Sequence, residues 1–265
     1  MMNYNKKAVL VTGACINTGV AIVEKFASEG QNVIFTGRSI EKVKAAEDAY
    51  RAKYPNVTIL GYALDSLLDE RTVDEQAVVD LFADLDAKGI FVDTLVLNAA
   101  DQGLGMKVFE SPLTDLMRVI NTNVVWNFCL SEHAAKRMKE NGGGSVTFIN
   151  SNTAYRAIPD RVAYVASKGG QLGLMRALAL DLGKYNIRVN AVLPGMIKTD
   201  RWEKNPEFYA KVPSRYTPLG DVAVGEDVAD AAWYFATMAR NTTGAELVLD
   251  GGNTIQLYPI IPEEN

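Results

Sequence analysis

Ala8-Val9-Leu10-Val11-Thr12-Gly13-Ala14-Cys15-Ile16-Asn17-Thr18-Gly19-Val20 carries the chain from a short β-branched, apolar run through a glycine turn into a segment that reads as helix to about Glu29. Gly13 lets the backbone turn sharply off the strand. Gly19 lets the helix pack closely on a sheet and present its positive N-terminus to a phosphate. A turn of this kind after a strand and before a helix is where a doubly wound fold holds a dinucleotide pyrophosphate. The usual second glycine is replaced by Asn17, a residue that tolerates left-handed backbone better than other side chains.

The same alternation of apolar run and amphipathic segment continues along the chain. Seven strands are predicted, near Ala8 to Thr12, Asn32 to Thr36, Val57 to Leu64, Thr94 to Asn98, Ser145 to Asn150, Arg188 to Leu193 and Glu246 to Asp250. Helices fill the intervals. Ser39 is placed to cap one running to about Lys53, and Ser111-Pro112 offers a cap with proline at the first helical position of a helix to about Lys139. This pattern specifies an α/β, Rossmann-like doubly wound fold with a seven-stranded parallel sheet and helices on both faces. No linker, internal repeat or low-complexity tract interrupts it, so residues 1–265 read as a single dinucleotide-binding domain.

Composition excludes several function classes. The 265 residues are 48% apolar, enough for a substantial core, and carry a formal net charge of −5. That balance and the lack of a basic block argue against nucleic-acid and anionic-membrane partners. No apolar stretch reaches the length of a membrane span, and the N-terminus runs into a strand without a signal-peptide core, so the expectation is a cytoplasmic protein. Two cysteines, Cys15 and Cys129, make no disulfide framework, and a single histidine, His133, leaves no cluster to hold a metal. His133 reads as a solvated helix-surface residue and Cys15 as a small buried thiol.

Tyr164-Val165-Ala166-Ser167-Lys168 places a tyrosine and a lysine on one helix face. A neighbouring ammonium favours a phenolate and draws the phenol proton towards useful acid/base work near neutrality. Ser151 lies thirteen residues upstream, at the end of the apolar strand that follows Gly142-Gly143-Gly144. A hydroxyl there can donate to an oxygen on which negative charge develops.

Taken in order, these motifs resemble the short-chain dehydrogenases/reductases over nearly the whole chain. Thr12-Gly13 through Gly19 is similar to that family's phosphate loop, Leu97-Asn98-Ala99-Ala100 to its N-N-A-G segment, and Tyr164-x-x-x-Lys168 to its strongest signature. Asn123, twenty-eight residues before Ser151, matches its catalytic asparagine. Leu193-Pro194-Gly195-Met196-Ile197-Lys198-Thr199 resembles the segment that lines the nicotinamide, and Asp250-Gly251-Gly252 the end of the last strand.

The resemblance implies Tyr164 as general acid/base and Lys168 as the group that lowers its pKa and holds the nicotinamide ribose. It implies Ser151 as donor to the substrate oxygen and Asn123 as the residue that distorts a helix and holds a water linking Lys168 to solvent. Cofactor contacts are implied for Gly13, Asn17, Thr18, Gly19, Asn98, Ala99, Pro194, Gly195, Ile197 and Thr199, with Asp65 and Ser66 at the adenine. After the second strand, Phe35-Thr36-Gly37-Arg38-Ser39 offers an arginine and a serine and no carboxylate, which favours NADP(H) over NAD(H).

The expected activity is interconversion of a carbonyl and a secondary alcohol on a small molecule. A 3-oxoacyl-thioester reductase is the alternative within the enzyme class, and a non-catalytic dinucleotide-binding regulator the alternative outside it. Residues 196–218, with Trp202, Phe208, Tyr209 and Tyr216, read either as a substrate lid or as aromatic cover for the core. Ala166, Gly169, Gly170, Gly173 and Ala177 suit helix packing in a homo-oligomer, a dimer or a homotetramer, or packing within one subunit, and the apolar stretch Ile255 to Pro262 suits an interface.

Overall fold

The computed structural model describes residues 4–210 and 215–258. The chain begins with Lys6–Val11 (β1), Asn17–Ser28 (α1), Asn32–Gly37 (β2), Ile40–Lys53 (α2) and Ile59–Ala63 (β3). A short hairpin, Leu67–Asp69 (β4) and Thr72–Val73 (β5), leads into Glu75–Ala87 (α3) and Ile90–Leu97 (β6). Leu113–Ile120 (α4), Trp126–Glu140 (α5), Gly144–Ile149 (β7), Val162–Leu182 (α6) and Ile187–Pro194 (β8) follow. Short helices at Asp200–Lys204 and Pro206–Tyr209 precede a helix at Gly225–Trp233 and the strand Glu246–Leu249 (β9).

Seven strands form one parallel sheet in the order β3-β2-β1-β6-β7-β8-β9. Helices cover both faces, which is why the strands are continuous apolar runs rather than alternating ones. Alternate side chains of β1 still go opposite ways. Ala8 and Leu10 join Leu95, Phe148, Val189 and Trp126 in one core, while Val9 and Val11 join Phe35, Val96, Val192 and Phe26 in the other. The strand order reverses between β1 and β6, so a crevice opens at the carboxyl ends of those strands, the position where open α/β sheets bind ligands. Among the described residues no helix is long and apolar enough to cross a membrane.

Three local expectations are corrected. The third strand starts at Ile59 rather than Val57, because Thr58 N–H is taken by the Asn32 side chain (2.8 Å). Pro112 sits at the cap of α4 instead of its first turn, and no side-chain cap bond is made there, so Ser111 does not cap. The long helix expected from Pro112 to Lys139 is broken by a π turn at Asn121–Val125, where Trp126 N–H reaches back to the Asn121 carbonyl. The β4–β5 hairpin was not foreseen; its strands are too short to carry a period.

Candidate active site

The glycine turn after β1 is held by crowding. Gly13 has φ +67°, and a Cβ there would lie 2.8 Å from Ala99 Cα. At Gly19 a Cβ would lie 2.3 Å from the Gly13 carbonyl oxygen and 2.7 Å from Ala14 Cα. Asn17 adopts φ +49°, the left-handed conformation its residue type tolerates, and is exposed. No side chain caps α1, so the first-turn N–H groups of this twelve-residue helix are left for another acceptor. Gly19→Ala is therefore expected to cost about 1–3 kcal/mol from overpacking and to weaken dinucleotide binding. Denaturant melts and a fluorescence titration check this, and wild-type values in both would contradict the contact.

Asn98 has a role different from the one expected. Its Nδ2 donates to the Thr12 and Gly13 carbonyls, each at 3.0 Å, so both of its donor hydrogens brace the glycine turn instead of reaching for a ribose. Thr12 Oγ1 accepts from the Asn98 and Ala99 N–H groups at 3.0 Å, tying β6 to the same turn. Ser39 caps α2, accepting from Lys42 N at 3.3 Å, while its hydroxyl donates to Glu41 at 2.6 Å. The serine proton expected for a phosphate is thus engaged by a carboxylate. Arg38 is exposed beside it, and Lys42, whose ammonium offsets part of the rise that burial gives the Cys15 thiol, is a second cation that sequence reading missed. Asp65 is exposed and its carboxylate caps the next turn through Ser66 N (2.7 Å), and Ser66 Oγ pairs with Thr122 Oγ1 (3.1 Å).

Ser151, Tyr164 and Lys168 converge at the carboxyl end of β7. Ser151 follows the strand in extended conformation and its hydroxyl meets the Tyr164 phenol. Lys168 follows Tyr164 by one helical turn, and its Nζ lies 5.5 Å from the Tyr164 ring centroid. Lys168 is 1% exposed, and Nζ donates to the Ile149 carbonyl (3.0 Å) and Gln171 Oε1 (3.1 Å). Burial brings the ammonium down to about 7. Burial raises the Tyr164 phenol above its ordinary range, although Ser151 and the Arg161 guanidinium pull the other way. In the protein without ligands the phenol thus moves opposite to the direction expected from a neighbouring ammonium, because desolvation is the larger effect.

Asn123 lies in the π turn and is fully buried. Its Nδ2 donates to the Asp101 carbonyl (2.8 Å) and Ser167 Oγ (2.9 Å), and its Oδ1 accepts from Asp101 N (2.8 Å). The Asn123 carbonyl accepts from Gln171 Nε2 (2.6 Å) and Asn127 Nδ2 (2.9 Å). A carbonyl oxygen has two lone pairs, so these amides fill both. The helix distortion is as expected, and the carbonyl for which a water link was implied is bonded by the side chains of Gln171 and Asn127. Gln171 was missed; its signal was a polar residue at i+3 from Lys168 on the buried stripe of α6.

On the other wall, Pro194 ends β8 and Gly195 N donates to the Leu249 carbonyl at 2.9 Å. A Cβ at Gly195 would come within 2.6 Å of Asp250 Cβ. Asp250 accepts from Asn152 Nδ2 (3.2 Å), so the residue after Ser151 is tied to the end of β9. Ile197 pairs with Ala223, and Thr199 precedes the helix Asp200–Lys204 without capping it. Trp202 stacks on Tyr209 (4.5 Å between centroids) and its Nε1 donates to the Ile197 carbonyl at 3.2 Å. Tyr216 offers its carbonyl to Asn253 and Gln256. Residues 211–214 of the expected lid, and 259–262 of the apolar C-terminal stretch, lie outside the described residues. His133 is away from the site and is half-buried, stacked on Phe82 with centroids 5.9 Å apart, which corrects its reading as a solvated residue. No metal-binding cluster occurs among the described residues.

Comparison with known proteins agrees with this geometry. A family model described as enoyl-(acyl carrier protein) reductase matches residues 13–254. The 3α-hydroxysteroid dehydrogenase of Mediterraneibacter gnavus is 34% identical, with 95% of this chain and 98% of that protein covered. The structure of ElxO with NADP bound is similar at a TM-score of 0.84 and 28% identity, covering 95% of this chain and 100% of that one. A 7α-hydroxysteroid dehydrogenase complexed with NADH and 7-oxo glycochenodeoxycholic acid is similar at a TM-score of 0.82 and 29% identity, covering 96% of each chain. With the glycine turn, the Tyr-x-x-x-Lys helix and the seven-stranded sheet in place, this chain belongs to the short-chain dehydrogenase/reductase family and is a dinucleotide-dependent oxidoreductase.

Proposed function

We propose that the protein reversibly reduces a small-molecule carbonyl to a secondary alcohol, with Tyr164 as general acid/base and NADP(H) preferred to NAD(H). The observation that carries this reading is the convergence of three groups: the Ser151 hydroxyl on the Tyr164 phenol, and the Lys168 ammonium beside the same ring. When bound, the nicotinamide supplies or accepts the hydride. The cradle around Gly13 and Gly19 and the uncapped α1 terminus fit the pyrophosphate of such a cofactor.

In reduction, the Tyr164 O–H bond breaks and its proton passes to the substrate oxygen as the carbonyl carbon gains hydride. The Ser151 hydroxyl donates to that oxygen while charge builds on it. Lys168, held by Ile149 and Gln171, steadies the phenolate that results. In oxidation the phenolate takes the alcohol proton and the same bonds form in reverse.

Arg38 and Lys42 support the NADP(H) preference, since both are exposed cations beyond β2; one similar structure carries NADP and another NADH. Arg38→Asp is expected to move the NADPH-to-NADH efficiency ratio towards NADH by at least tenfold, the change one lost charged hydrogen bond brings. An unchanged ratio in steady-state kinetics would reject the assignment. The aromatic cluster Trp202–Tyr209 supports a substrate lid at 196–218. Gly169, Gly170, Gly173 and Ala177 lie exposed on α6 with Leu180 at 85% exposure, which supports a homo-oligomer rather than packing within one subunit. A panel assay of NADPH consumption over ketones, sugars, steroids and acyl thioesters tests the reading. Dinucleotide binding without turnover of any of them would favour a regulator instead.

A further inference from the structure

We propose that Gln171 is a positioning residue of the proton-handling site: its amide bridges the Asn123 carbonyl and the Lys168 ammonium and fixes where the lysine sits. The inference rests on the reading of Tyr164 and Lys168 as the pair that handles the proton. Gln171 is 1% exposed, and three elements meet at its side chain. Nε2 donates to the Asn123 carbonyl of the π turn at 2.6 Å. Oε1 accepts from Lys168 Nζ and from Asn150 Nδ2, the latter at the end of β7, each at 3.1 Å. Asn150 also donates to the Lys168 carbonyl (3.0 Å) and accepts from Ser151 N (2.7 Å), so the amide network reaches Ser151 as well.

Both lone pairs of Gln171 Oε1 are used, as are both of the Asn123 carbonyl, by Gln171 and Asn127. A water at this point would pass a proton by giving one and taking another. A carboxamide ionises in neither direction near neutral pH, so it fixes geometry and carries no proton. Between Lys168 and Asn123 the amide is thus a fixed brace, and Tyr164, half-buried, meets Ser151 on the crevice side.

The charge on Lys168 is then set by few groups. From α6 the titratable neighbour is Tyr164, with Arg161 beyond it acting on the same phenol. From β7 comes the Ile149 carbonyl. The π turn presents the Asn123 carbonyl through Gln171, with the Asp101–Arg118 ion pair behind Asn123. Gln171 Oε1 is thus one of two acceptors that favour the charged lysine against burial.

The test is NMR titration of protein labelled at lysine Cε, run with steady-state kinetics on wild type, Gln171→Leu and Gln171→Glu. Loss of the acceptor in Gln171→Leu is expected to lower the Lys168 midpoint by about one pH unit, a tenfold change in protonation. Gln171→Glu places a carboxylate on the ammonium and is expected to raise the midpoint by about one unit or more. The neutral-pH limb of the kcat profile should move with the lysine in each variant, while substrate KM stays near wild type. If Gln171→Leu does not fold, the isosteric Gln171→Glu decides alone. An unmoved Lys168 in a folded, active Gln171→Glu enzyme overturns the role given to Gln171. A wild-type protein that turns over no carbonyl or alcohol overturns the underlying reading instead.

Discussion

Tyr164→Phe is expected to lower turnover by about 10²–10⁴-fold, the range for lost general acid/base catalysis, and to leave dinucleotide affinity largely intact. The substitution removes one oxygen. The ring that packs beside Lys168 Nζ at 5.5 Å remains, and so do the acceptors that hold the lysine, so the loss is chemical rather than a loss of packing. Direction of reaction adds a second readout. Burial keeps the phenol protonated through neutral pH, so the enzyme rests with the proton that reduction requires. With the phenol protonated throughout, reductive turnover should show only the limb that Lys168 sets near neutrality, and oxidative turnover should climb further towards alkaline pH as the phenolate forms. Steady-state kinetics in both directions check this. A Tyr164→Phe enzyme with near-normal turnover would remove the mechanism.

Lys168→Met is expected to cost about 10²–10³-fold in turnover, the scale for removing one preorganised charge-stabilising group. Its effect on stability should depend on pH. The folded-state lysine titrates at about 7, below its ordinary 10.5, because burial disfavours the charge. Between those values the unfolded chain binds a proton that the folded chain has released, so wild-type stability rises with pH, by at most about 1.4 kcal/mol per unit for one group. The methionine variant lacks that pH dependence. It gains from losing a buried cation and loses the partner of the Ile149 carbonyl, two effects that oppose each other near neutrality. Wild type should therefore gain on Lys168→Met as pH rises from neutral into the mildly alkaline range. Chemical denaturation of both proteins at a series of pH values measures the difference, and a difference that stays constant with pH would show that the lysine is not titrating there.

The parts of this molecule that were legible from sequence share one property: each is a short-range pattern. The apolar runs mark strands buried on both faces, the turn through Gly13 and Gly19 marks the first strand-to-helix join, and Tyr164 and Lys168 share a face because a helix repeats every 3.6 residues. Asn17 also belongs here, since its left-handed backbone follows from its own side chain. Where the expectations failed, a partner outside the motif had intervened. Asn98 spends its donors on Thr12 and Gly13, some eighty residues earlier in the chain. Ser39 gives its proton to Glu41, and the long helix after Pro112 is interrupted by a π turn whose carbonyl at Asn123 is met from α6.

The sequence by itself determined the strand succession, the glycine cradle and the pairing of tyrosine with lysine on one helix face, because backbone geometry converts residue spacing directly into direction. Only the tertiary structure decided how strongly burial acts on that pair, which carbonyls hold the lysine, and that Gln171 stands between Lys168 and Asn123. Desolvation and hydrogen-bond partnership depend on which segments the fold brings into contact, and no local period encodes that.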